Sequence, residues 1–119
     1  MKSYKDLDVW KESRKMVKTI YLLTQNFPKE ETYGLTQQIR RSAISIPSNI
    51  AEGHGRNTAK DSIQFFHISR GSLYELETQV YLAFDLGYTD EKQCSDVIEQ
   101  ISTNGKMLNG LINYFEKLK

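Results

Sequence analysis

Apolar residues return every three or four positions along four stretches of the chain, and each stretch is closed by residues that end helices. In the first, Val9, Ser13, Val17, Ile20, Thr24 and Phe27 share one stripe, flanked by Trp10 and Met16. That spacing predicts an amphipathic helix from Asp6 or Asp8, either of which suits an N-cap, to about Asn26. Phe27-Pro28 ends it, because a residue before proline avoids the helical region. The second stripe is Leu35, Ile39, Ala43, Ile46 and Ile50. It predicts a helix from near Thr32, after a cap within residues 29–32, to Gly53, with Gly53-His54-Gly55 as terminator. The third opens after Asn57 or Thr58, carries Ser62, Phe66, Ser69, Leu73, Leu76, Val80 and Ala83, and stops at Gly87. The fourth begins after Thr89 or Asp90, with Cys94, Val97, Ile101, Leu108, Leu111, Phe115 and Leu118 as its stripe.

No alternating Val/Ile/Thr-rich run competes as a strand, so the predicted fold is all-α. The connections are short, which makes consecutive helices antiparallel neighbours. The expected architecture is an up-down-up-down four-helix bundle forming one domain over residues 1–119. Repeats, linkers and low-complexity tracts are absent from the sequence.

Pro47 lies inside the second helix. It has no N–H and its ring crowds the carbonyl of Ala43, at a cost of about 3 kcal/mol in a helix interior. The apolar rhythm nevertheless continues across it, which predicts a kinked helix held by packing. Helical geometry gives this segment three strips. Leu35, Ile39, Ala43, Ile46 and Ile50 form the core face. Ile44, Pro47 and Ala51 form a second apolar strip beside it, which fits either a deeply buried helix or a contact with another subunit. Arg41, Ser45, Ser48, Asn49, Glu52 and Arg56 form a polar strip opposite. Two readings fit that strip. Its members are solvated or paired within the bundle, with Ser45 and Ser48 bonding carbonyls loosened near Pro47. Alternatively, Arg40, Arg41 and Arg56 contact phosphates or a carboxylate while Asn49 and Glu52 orient them.

On the third helix, Arg70, Tyr74, Glu77 and Tyr81 share a face away from the Leu73/Leu76/Val80 core. Tyrosine and arginine are enriched at interfaces, and Gly71-Ser72 puts small residues mid-helix. The patch fits a helix–helix contact within the chain or a subunit interface. Glu75, at the core's edge, calls for a partner, expected to be an arginine of the second helix.

Charge adds one qualification. The net charge is +1, which disfavours a dominant electrostatic partner. Yet residues 1–60 hold 11 Lys/Arg against 6 Asp/Glu, and residues 61–119 hold 5 against 9. That asymmetry suits a basic surface on one side or head-to-tail self-association. No apolar run approaches the roughly 20 residues that span a bilayer, and the charged N-terminus lacks a signal core. The single cysteine, Cys94, fits a reducing cytoplasm.

Signals for catalysis are poor. His54, His67 and Cys94 are far apart and lack metal-ligand spacing. Gly53-His54-Gly55 follows a helix and is too short for a phosphate loop. Glu75 and Glu77 point to different faces, and the paired Glu-x-x-His pattern of bundle di-metal sites is missing. No catalytic residue, metal, cofactor or small-molecule substrate is expected.

The residues also carry a resemblance over essentially the whole chain. Its marks are Tyr4 through Trp10, Phe27-Pro28, Glu31, Tyr33-Gly34-Leu35 and Gln38 through Ala43. The Ile46-Pro47-Ser48-Asn49-Ile50-Ala51-Glu52-Gly53 run is the most specific of them. Gly55-Arg56, Gly71-Ser72-Leu73 with Glu75, Leu86-Gly87-Tyr88 and Lys106-Met107-Leu108 complete the set. The chain resembles the S23-type proteins encoded by intervening sequences in bacterial 23S rRNA genes. The resemblance implies an antiparallel four-helix bundle assembled into a ring-shaped homopentamer, with no established catalytic residues. In fold it is also similar to accessory proteins of diversity-generating retroelements, which present a basic surface to nucleic acid and a reverse transcriptase. That similarity implies Arg40, Arg41 and Arg56 as nucleic-acid contacts, joined by Lys11, Arg14, Lys15 and Lys18 of the first helix. The expected function is a non-enzymatic oligomer that binds RNA or a ribonucleoprotein partner; the alternative is a protein–protein scaffold without nucleic acid.

Overall fold

The computed structural model describes residues 3–119; Met1 and Lys2 of the charged N-terminus lie outside the described residues. Four α-helices carry the fold: α1 (Asp8–Thr24), α2 (Leu35–His54), α3 (Ala59–Asp85) and α4 (Glu91–Glu116). Short 3-10 turns at Tyr4–Asp6 and Lys29–Glu31 precede α1 and α2, and no strand occurs among the described residues. Each helix packs on two others. α2 and α4 both pack on α1 and on α3, and the backbones of the diagonal pairs stay apart.

The core follows the predicted stripes closely. Ile39, Ala43, Ile46 and Ile50 of α2 are sealed from solvent, as are Phe66, Leu76, Val80 and Ala83 of α3 and Ile101 and Leu108 of α4. On α1 the outcome differs by one position. Met16 is completely buried and Val17 only half-buried. Val17 sits a 100° step further round the helix, and the longer, flexible Met side chain fills the interior better. At the C-terminus Leu118 lies beyond α4 and is exposed.

The helix ends show why some boundaries moved. The N-cap of α1 is Leu7, with no side-chain cap, and Asp8 is the first helical residue. Leu7 is buried, so packing of this apolar residue, not a polar cap, sets the start. α2 begins at Leu35, after the turn at residues 29–31 and Gly34, whose backbone (φ −113°, ψ −115°) leaves the helical path. Thr58 caps α3 through the Asp61 N–H, and Asp90 and Gln93 form a reciprocal capping box on α4. Gly87, at φ +79°, ends α3 with the Tyr88 N–H bonded to the Ala83 carbonyl and the Gly87 N–H to that of Phe84. That is a Schellman cap, whose left-handed residue favours glycine.

One tie joins the two loops at this end of the bundle. The Tyr88 hydroxyl donates to Glu31 Oε2 at 2.7 Å, and the Leu35 N–H donates to Glu31 Oε1 at 3.2 Å. Glu31 thereby caps α2 from outside the helix. The Tyr88 hydrogen bond, then the Leu35 amide, hold the Glu31 carboxyl below its ordinary range; the same bond holds the Tyr88 phenol above its own. The linkage has two arms. The Glu31 arm stabilises at pH above the unfolded carboxylate value and is lost as pH falls through the lowered folded value. The Tyr88 arm stabilises below the usual phenol range and is lost as pH rises through the raised folded value. Glu31→Gln with Tyr88→Phe is expected to flatten both flanks of a stability-versus-pH curve measured by urea unfolding.

Candidate nucleic-acid interface

With Val9, Ser13, Met16, Ile20 and Thr24 turned into the core, helical geometry leaves Lys11, Arg14, Lys15 and Lys18 on the outer face of α1. All four are exposed. The Arg14 guanidinium lies 4.8 Å from the centre of the Trp10 ring, an arrangement that holds the charge while leaving it hydrated. Lys15 pairs with Glu12 at 3.1 Å but remains 69% exposed, so the pair is weak. Lys11 and Lys18 have no ion-pair partner among the described residues. The four cations border a broad open groove completed by Asp8, Glu12, and Thr103 and Met107 of α4.

Arg40 and Arg41 of α2 lie in a separate cleft, beside Tyr21 near the C-terminal end of α1. Arg40 is half-buried; its Nε donates to Thr24 Oγ1 at 2.8 Å and its guanidinium lies 4.4 Å from the centre of the Tyr21 ring. Arg40 is therefore a fixed bridge between α1 and α2. Arg41 is exposed and forms no ion pair among the described residues. Both line a cleft with Tyr21, Thr32, Tyr33, Thr36, Gln37 and Ile44.

Arg56 stands apart. It follows the C-terminal end of α2, about 22 Å along the axis from Arg41. It pairs with Glu52 at 2.7 Å and lies over the Phe65 ring at 4.3 Å. The expected grouping of Arg40, Arg41 and Arg56 in one site is thus corrected: the helix rise separates them. Of the expected orienting contacts, only Glu52 to Arg56 forms.

The polar seam ties helices together. Asn49 Nδ2 donates to the Ser45 carbonyl at 2.8 Å and to Ser45 Oγ at 3.0 Å, and Ser72 of α3 donates to Ser45 Oγ at 2.8 Å. Ser48 Oγ donates to the Ile44 carbonyl at 2.8 Å, and Ser69 of α3 reaches the Ile46 carbonyl at 2.8 Å. These bonds cluster around Pro47, where the helix lacks one N–H donor, and α2 remains one unbroken helix. Glu75 is exposed and has no ion-pair partner among the described residues. The expected arginine partner is corrected, because Glu75 points outward from α3.

The expected interface residues divide. Arg70 donates to Asn109 Oδ1 of α4 at 3.1 Å, a contact within the chain. Glu77 is half-buried, whereas Tyr74 and Tyr81 are 60% and 48% exposed. In the second apolar strip Pro47 and Ala51 are half-buried and Ile44 is exposed. That strip is not sealed inside the bundle. No cluster of His, Cys, Asp or Glu among the described residues stands ready to hold a metal ion, and none of the described helices is long and apolar enough to cross a membrane. Cys94 is buried, and burial followed by the charge of Asp85 pushes its thiol up, which makes it a poor nucleophile.

A model of the 23S rRNA-intervening sequence proteins matches residues 5–110. The chain belongs to that family. The match takes in all the basic residues above and the whole Ile46–Gly53 run. Among solved structures, the chain is similar to a protein of unknown function from the S23 ribosomal protein family of Bacteroides thetaiotaomicron. The two share 23% identity over 87% of this chain and 97% of that one, with a TM-score of 0.78, which establishes the common helical fold. No protein of curated function matches the chain.

Two residues that line the cleft beside Arg40 and Arg41 in this 23S rRNA-intervening sequence protein are not among the candidates read from the sequence. Tyr33 is 88% exposed, and its signal is an aromatic stranded in a polar inter-helix segment. Tyr21 lies three residues after Lys18, on the outward side of α1, where the helical period already places it.

Proposed function

We propose that this chain is a non-enzymatic, cytoplasmic RNA-binding protein whose basic α1 face engages phosphates of RNA or of a ribonucleoprotein, and that it works as a ring-shaped homopentamer. The observation that carries the reading is the row of four exposed cations on α1, with Arg40 and Arg41 of α2 in a second cleft near the C-terminal end of the same helix. A duplex or folded RNA presents a periodic row of phosphates, and a flat cationic helix face matches it without needing a pocket. Near-neutral net charge is no obstacle when the cations share one face, and fivefold repetition multiplies a modest patch. A gel shift with a folded RNA at low salt tests this: a retarded complex supports it, and free RNA at every protein concentration contradicts it.

Antiparallel packing of α2 on α3 is part of the same proposal. The order of contacts supports it: Ser45 meets Ser72, Ile46 meets Ser69, and Gly53 meets Phe66. A bend at Pro47 is the proposed means by which the two halves of α2 face different neighbours. Pro47→Ala is accordingly expected to keep the helical content of the monomer and to change the solution mass measured by light scattering, which for the wild type is expected at five times the chain mass. Unchanged mass and unchanged stability together contradict a role for the bend.

A protein-binding scaffold is the second reading, favoured by the exposed Tyr74 and Tyr81 on α3. Recovery of one protein in a nuclease-treated pull-down, abolished by Tyr74→Ala/Tyr81→Ala, supports it.

A further inference from the structure

The geometry points to the cleft between α1 and the start of α2 as a seat for single-stranded nucleic acid, with a base stacked on Tyr33 and the adjacent phosphates held by Arg40 and Arg41; this rests on the RNA-binding reading above. Tyr33 is 88% exposed, more than any other large hydrophobic side chain of the described residues. An aromatic ring left in water forgoes the burial that usually rewards it. This one stands on a turn one residue before Gly34, at the mouth of a cleft of about 520 Å³, within the range of small-ligand sites.

The remaining walls suit a nucleotide. Arg40 is immobilised by Thr24 and by the Tyr21 ring. It spends one of five N–H donors on that bond, and the rest stay available in a fixed orientation. Arg41 adds an exposed, unpaired guanidinium. The N–H groups of Thr36 and Gln37, in the first turn of α2, have no hydrogen-bond partner among the described residues. The buried Thr36 hydroxyl also lacks one. A helix start with open amides beside two arginines attracts an anion. The opposing charges are Glu30 and Glu31, and the Glu31 carboxylate is already engaged by the Leu35 amide and the Tyr88 hydroxyl.

Stacking decides the strand state. A duplex keeps its bases inside, where Tyr33 cannot reach them. A single strand offers a free base face beside its own phosphate, and any base serves. An acidic peptide could meet the arginines but would leave the ring without a planar partner.

Fluorescence anisotropy tests this with labelled oligouridine and oligothymidine of about 20 nucleotides and an RNA duplex of similar length, at about 50 mM salt. Tyr33→Ala is expected to weaken single-strand binding by about tenfold or more and to leave duplex binding unchanged, while Tyr33→Trp retains single-strand binding. Equal weakening for both oligonucleotides assigns the site to single strands in general; weakening for oligouridine alone assigns it to RNA. Both support the inference. Single-strand binding indifferent to Tyr33→Ala but abolished in Lys11→Glu/Lys18→Glu overturns the stacking site and leaves the basic-face reading intact. Displacement of the oligouridine by oligoglutamate at matched charge, with Tyr33→Ala leaving the oligouridine affinity unchanged, overturns it in favour of a general anion surface. No binding of any probe by the wild type removes both readings. Thermal melting checks that the exposed Tyr33 substitutions leave the fold unchanged.

Discussion

Phe66→Ala is expected to lower the unfolding free energy by about 3–5 kcal/mol, a large share of the stability of a domain this size, and to reduce Tm by roughly 15 °C. Phe66 is fully buried, and its ring meets Phe115 edge-on with centroids 4.9 Å apart. It also fills the space that Gly53 leaves. A Cβ added at Gly53 would come within 2.7 Å of Phe66 Cε1 and 2.9 Å of Phe65 Cβ. Alanine gains about 1 kcal/mol over glycine in a helix, but overpacking costs about 1–3 kcal/mol. Phe65 Cβ is fixed to the α3 backbone, so the helices must part. The clash wins, and Gly53→Ala is expected to be destabilising. In a Phe66→Ala background two of its three close contacts vanish, so the cost of Gly53→Ala should fall by about half or more. Denaturant unfolding of the two single variants and the double variant measures that coupling; strict additivity contradicts the packing described.

This contact also shows what the sequence could and could not tell. The glycine at 53 reads as a helix terminator, and the helix does end one residue later, at His54. Its tighter role, admitting Phe66 of another helix, depends on a partner some dozen residues away, which local punctuation does not reveal. The same distinction runs through the molecule. The α3 stripe from Ser62 to Ala83, the caps Thr58 and Asp90 and the stop at Gly87 were legible, because each rests on period or on a local backbone requirement. The start of α1 at Asp8 was legible too, but its cap was not, because buried Leu7 takes the place of the expected polar cap. The site divided in the same way. Lys11, Arg14, Lys15 and Lys18 entered only through the fold similarity, and the structure places them exposed on α1. That Arg40 reaches Thr24, that Arg56 belongs to the far end, and that Glu75 turns away are tertiary facts. Tyr33 stands out in the sequence as an aromatic in a polar segment and as one mark of the family resemblance, but a turn residue has no period to say which way it faces.

Reversing the basic face is expected to have the largest effect on function. Lys11→Glu/Lys18→Glu replaces two unpaired cations with two anions at the two ends of the row, leaving Arg14 over Trp10 and Lys15 beside Glu12. Without a lysine at a phosphate no counterion is released there, and each new carboxylate repels the nucleic-acid backbone. Binding of folded RNA should weaken by about a hundredfold at low salt. Both lysines are exposed, so the fold should be unaffected, and circular dichroism melting separates weakened binding from disrupted structure. Undiminished affinity in a folded variant would move the contact surface elsewhere, with the α3 tyrosine face next in line.

The salt dependence of RNA affinity tests the central claim most directly. If the α1 row together with Arg40 and Arg41 contacts about five phosphates of a folded RNA, the logarithm of the association constant should fall against the logarithm of salt with a slope of about −4.5. That amounts to a decrease of roughly 500-fold between about 50 and 200 mM. A slope near zero, or no binding by the wild-type protein at about 50 mM salt, contradicts the account.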